Sequence, residues 1–170
     1  MGWSKDLDSQ DNTFPTFLSY TLTGLRILIG WHFLYEGLSK LFAPNWSSTG
    51  FLMGSHWLFS SLFHWIAETP AVLTIVDQIN IWGLILIGIL LFFGLFTRTA
   101  SATGAFLLLL YYIAQPPFIG FMGEATGEGH YLIVNKILIE CAILIVVFFL
   151  PQQILYGLDR WVLRLKKGQP

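Results

Sequence analysis

Six ionisable side chains stand inside long apolar stretches of this chain: Arg26, Glu36, Lys40, Asp77, Lys136 and Glu140. A charge in apolar surroundings is costly, so each of these marks either a strut or a place where something binds. Carboxyl groups take up and release protons, which makes Glu36 and Glu140 the candidates for proton handling. Ammonium and guanidinium groups hold anionic oxygens, which makes Lys40, Lys136 and Arg26 the candidates for binding an anionic substrate. Asp77, Asn80, Asn135 and His130 are the polar neighbours that would support them. Glu36 and Lys40 are four residues apart and share one helix face. The competing reading is a set of salt bridges that lock helices together, and Arg26 with Glu140 suits that role best. Two cations near an outer mouth, Lys40 and Lys136, suit a bound anion better.

Other chemistries find little footing. Cys141 is the only cysteine and lies in an apolar run, so neither an intrachain disulfide nor a cysteine metal site is expected. His32 has no second histidine within the apolar stretches to complete an axial haem pair, and His56, His64 and His130 fall in connecting segments. No metal, haem or flavin motif is evident.

The elements that must carry these groups follow from hydropathy. Of 170 residues, 55% are apolar and only 11% charged, against about 25% charged in an ordinary soluble domain. Mean hydropathy is +0.65. With a net charge of −1, nothing points to nucleic acid. A spanning helix needs about 20 mainly apolar residues. Four stretches qualify, at about 17–41, 72–96, 100–115 and 131–150. They predict an all-α membrane protein, a four-transmembrane-helix bundle (residues 17–150) between a polar N-terminus (1–16) and a tail (151–170). The N-terminal stretch is polar and no cleavable leader is expected.

The connections differ in kind. Residues 94–99 are so few that the second and third spans must form an antiparallel hairpin. Residues 115–130 contain Pro116, Pro117 and several glycines and form a true loop. The first loop holds Trp46, Trp57 and Trp65, and its segment 57–66 has the spacing of a short helix lying in the interface. The tail over 155–165 reads as an amphipathic helix on the membrane surface, with Arg160, Arg164 and Lys167 flanking its apolar face. Lys and Arg are concentrated in that tail and at Arg98, while the two long loops lack them. The positive-inside rule therefore sets both termini in the cytoplasm and both long loops outside. Counting depth from the inner ends at a rise of about 1.5 Å per residue, Arg26 lies roughly 13 Å and Glu140 roughly 15 Å deep, an expected mid-membrane pair. Lys136 at about 21 Å and Glu36 at about 28 Å join Lys40, Asp77 and Asn80 in an outer cluster.

These residues also carry a resemblance. The run Gly30-Trp31-His32-Phe33-Leu34-Tyr35-Glu36-Gly37-Leu38-Ser39-Lys40-Leu41, followed by Pro44-Asn45-Trp46-Ser47, resembles the first helix and outer loop of the DoxX/DoxD family. So does Gly83-Leu84 through Gly94-Leu95-Phe96-Thr97-Arg98. Tyr111-Tyr112-Ile113-Ala114-Gln115-Pro116-Pro117, Glu128-Gly129-His130-Tyr131-Leu132-Ile133-Val134-Asn135-Lys136 and Gly157-Leu158-Asp159-Arg160 are similar to the DoxD branch in particular. The resemblance implies a four-helix subunit of a prokaryotic inner (cytoplasmic) membrane. The DoxD branch is similar to the large subunit of thiosulfate:quinone oxidoreductase, which joins two thiosulfates into tetrathionate and passes the electrons to quinone. It implies quinone as acceptor and a small DoxA-like partner subunit, within a homo-oligomer or larger membrane complex. Among the aromatic residues, Trp31, Trp82 and Tyr112 are the candidate walls of a quinone slot, and ordinary lipid-facing packing of the same rings stays open beside it. A non-catalytic scaffold that docks a partner and a small-solute transporter remain open beside the enzyme.

Overall fold

The computed structural model describes residues 16–117, 133–151 and 155–159. These residues form helices and no strands: α1 (Thr16–Phe42), α2 (Thr49–Met53), α3 (Ser60–Glu68), α4 (Pro70–Phe93), α5 (Thr97–Ala114) and α6 (Lys136–Phe149). The long helices pair as α1 with α4 and α5 with α6.

Glycine sets the first pair. Gly30 and Gly37 lie seven residues apart on one face of α1, and Gly88 faces them from α4. A Cβ on Gly30 would stand 2.6 Å from the backbone nitrogen of Phe92, and one on Gly88 would stand 2.5 Å from that of Leu34. Only hydrogen fits, so the backbones close as they do at small-residue helix interfaces in lipid. The antiparallel register that results sets Arg26 beside Gly94 and Lys40 beside Asn80. The two pairs meet over a shared core of Ile29, Phe33, Leu84, Ile87, Leu91, Leu108 and Leu144.

Helix ends differ from the hydropathy spans for local reasons. α4 opens with Pro70 in its first turn, where a missing amide costs nothing. It stops at Phe93 because Gly94 (φ 69°) turns left-handed. α5 begins at Thr97 rather than Ala100 because Asp159 accepts hydrogen bonds from the amides of Phe96 and Thr97, both at 2.8 Å. α6 begins at Lys136, where the Asn135 side chain caps it by accepting from Leu138 N at 3.0 Å. α3 occupies the interfacial segment expected in the first loop, and α2 before it was not anticipated. Of the tail helix, only residues 155–159 fall within the described residues.

Among the described residues, α4 alone is long and apolar enough to pass as a membrane span on length and composition. α1 is interrupted by Arg26, Glu36 and Lys40, α5 opens on Thr97-Arg98-Thr99, and the helical part of the fourth stretch covers 14 residues.

Candidate functional site

The two ends of the bundle use their charges differently. At the hairpin end, Arg26 is almost wholly buried. Its Nη2 donates to the carbonyl of Tyr156 at 2.8 Å, and its guanidinium packs against Gly94 and Gly157 with Asp159 acting on its charge. Residues 155–159 lie over this end as a clasp: Tyr156 N donates to Thr23 Oγ1 at 3.0 Å, Tyr156 stacks on Tyr20, and Asp159 N donates to Gly94 O.

The expected mid-membrane pair of Arg26 with Glu140 is therefore not the arrangement adopted. The start of α1 is not the inner end of the bundle. The chain turns back at Gly94 instead, level with Arg26, so the stretch from Thr16 to Leu25, roughly 15 Å of helix, overhangs the hairpin. As a candidate anion binder Arg26 is likewise displaced: it stands apart from the cavity described next, engaged by the clasp.

At the loop end a cavity of about 320 Å³ opens between α1, α4, α5 and α6, under residues 46–51. Glu36, Lys40, Asn80, Lys136 and Glu140, five of the charged and polar candidates, line it. Lys40 Nζ donates to Asn80 Oδ1 at 3.1 Å and stands 5.0 Å from the centre of the Trp46 ring and 5.5 Å from that of Tyr111. Both distances are in the range of cation–π attraction. Asn80 in turn donates from Nδ2 to the Tyr111 hydroxyl. Across the cavity, His32 Nε2 lies 3.5 Å from Glu140 Oε1. Glu36 and Asp77 both act on the charge of Lys40. The lining thus holds two ammonium groups, two carboxyls and an imidazole against a wall of Phe33, Trp46, Phe51 and Tyr111.

Residues 46–51 are tied down from below. Asp77 is buried, and its Oδ1 accepts from both the amide and the hydroxyl of Ser48. Gln115 Nε2 donates to Phe51 O at 2.8 Å. Asp77 is thus an anchor for the cavity's cover rather than part of its lining. Asn135 caps α6.

Three aromatic candidates face elsewhere. Trp31 and Trp82 are each more than half exposed on the outside of the bundle, where Trp31 leans on Phe92 and Trp82 bonds Gln78. The Tyr112 hydroxyl donates to Ile133 O at 2.7 Å. None of the three lines the cavity. His130 lies outside the described residues.

Sequence reasoning missed His32, Trp46, Phe51 and Tyr111 as a group. His32 shares a helix face with Glu36 and could have been found by that spacing. Trp46 and Phe51 carry no periodic signal, because a loop brings them in.

The described residues thus define an all-helical bundle around a polar cavity. Residues 21–115 match the model of the DoxX family, and the chain belongs to that membrane family. Neither a curated protein nor a solved structure matches the chain.

Proposed function

We propose that the protein is a four-span membrane oxidoreductase subunit of the thiosulfate:quinone type, and that the loop-end cavity is its substrate site. One observation carries the reading: a single cavity combines two ammonium groups, two carboxyls with a histidine, and an aromatic wall. A bundle-locking network would need no such space.

The topology is part of the proposal. Large apolar side chains stand exposed on every long helix, among them Leu28, Ile79, Phe106 and Val146. That much apolar surface calls for lipid rather than water. Both termini then lie in the cytoplasm and the cavity opens outward.

The residues fit the substrates by chemistry. Lys40 and Lys136 supply positive charge for thiosulfate oxygens. Trp46, Phe51 and Tyr111 offer flat walls for a quinone ring, with the Tyr111 hydroxyl and Asn80 as hydrogen-bonding groups. Quinone, when bound, supplies the two-electron acceptor. Two thiosulfate ions, one quinone and two protons become one tetrathionate and one quinol; a sulfur–sulfur bond forms and charge balances at −2 on each side. Glu36 and the His32–Glu140 pair hold the two protons beside the aromatic wall.

The test is thiosulfate-dependent reduction of a soluble quinone by purified protein, with and without a small partner subunit. Turnover lost in Lys40→Met and Lys136→Met supports the reading. No reduction in either condition overturns it.

A further inference from the structure

The cavity has a second border besides its outer mouth. α1 packs tightly on α4 and α5 on α6, but α1 and α6 touch at few points. Along that seam the packing loosens toward the loop end. Leu144 is fully buried; one turn on, the Glu140 side chain is 20% exposed, and Lys136 beyond it is exposed. Opposite stands His32, with 40% of its side chain exposed in the middle of a 27-residue helix.

The neighbours of this pair decide what lies beyond it. His32 is flanked on α1 by Leu28 and Tyr35, exposed to 65% and 59%. Glu140 follows Ile139, exposed to 52% on α6. On their other sides, Glu36 and Ile137 line the cavity. The His32–Glu140 pair therefore stands on the line between the apolar outer surface and the cavity. A polar pair at a lipid border is costly unless something uses it.

We propose that the α1–α6 seam is a lateral portal, through which a lipid-dissolved ligand with a flat hydrogen-bonding head and a hydrocarbon tail reaches the cavity, with His32 and Glu140 at the threshold. The inference rests on the membrane and substrate-site reading above and deepens it by separating two routes. Anions enter from water at the Lys136 mouth; the tailed ligand enters sideways, its head against Trp46 and Tyr111 and its tail left in the seam.

The experiment uses the full chain in lipid nanodiscs and reads quenching of tryptophan fluorescence, with Trp46→Phe identifying the cavity signal. The probes are a benzoquinone with a decyl tail and the same ring without the tail. Ile143 lies one turn from Glu140 along α6, and Leu28 one turn from His32 along α1. Added bulk in Ile143→Phe or Leu28→Phe is expected to weaken saturable quenching by the tailed quinone about tenfold, and to leave the tail-less one within about twofold. Equal effects on both probes in both variants, no effect on either, or no saturable quenching by the tailed quinone in the parent protein overturns the portal. The outcomes are separable from those of the activity test. Tailed-quinone binding blocked at the seam without thiosulfate turnover leaves the portal standing and removes the thiosulfate reading. Turnover with no discrimination between probes does the reverse.

Discussion

Arg26 and Lys40 present the same signal in the sequence, a cation within an apolar helix, yet they end in opposite circumstances. Arg26 is closed in: a backbone carbonyl, two glycines and Asp159 surround it, and residues 155–159 seal it over. Lys40 stands at the wall of an open cavity, held by one side-chain amide and two ring faces. The contrast lies in what satisfies the charge. Backbone groups fixed by the fold make a strut, since they cannot leave. Side chains around empty space make a site, since a ligand can replace or join them. The two ends should therefore respond to different experiments, one through stability and the other through binding.

The largest effect is expected from Gly94→Val. The φ of 69° is strained for a β-branched residue, and the new Cβ would fall on the Arg26 guanidinium. A loss of about 3 kcal/mol or more is expected, seen as a melting temperature lowered by roughly 10 °C in detergent. A drop below about 2 °C would mean the hairpin end is not the rigid one. Lys40→Met comes next and should break the comparison the other way. Substrate binding, by titration of the anion, is expected to weaken about tenfold, with melting shifted by no more than about 3 °C. If Lys40→Met instead melts as early as Gly94→Val, the cavity end is structural too, and the distinction between strut and site collapses.

Asp159→Ala is expected to cost about 1 kcal/mol, the usual worth of a lost helix cap, or roughly 3 °C of melting temperature. It removes the acceptor for Phe96 N and Thr97 N while leaving the loop-end cavity untouched. The same cap explains why α5 was only partly legible. Its start depends on a residue more than 60 positions away, which no local pattern reveals. α4 and the tight hairpin were legible, because a long apolar run and a Gly94-to-Thr97 turn are local signals. The charged half of the cavity was legible in the same way: Glu36 and Lys40 share a face, and Lys136 and Glu140 share another. Its aromatic half was not, since Trp46 and Phe51 arrive on a loop pinned by Asp77 and Gln115. The level of Arg26 was not legible, because the glycine interface with α4, and not the end of α1, sets the register.

The smallest effect concerns the aromatic residues put forward as quinone walls. Trp31 and Trp82 lie on the outer surface, each more than half exposed, and neither lines the cavity. Periodicity gives a helix its faces but not which face looks inward, and for helices apolar all round it says less still. Replacing both by leucine exchanges one outward-facing apolar side chain for another and leaves the Lys40–Asn80–Tyr111 chain intact. Binding of either quinone is therefore expected to change by less than about twofold, whereas Tyr111→Leu, which removes the ring beside Lys40 and the acceptor of Asn80, should weaken it about tenfold. Titrating both variants with the tailed quinone in nanodiscs checks the ordering. A double tryptophan variant that loses binding while Tyr111→Leu keeps it would move the ligand from the cavity to the outer face of α1 and α4, and would return the enclosed charges at both ends to the single role of struts.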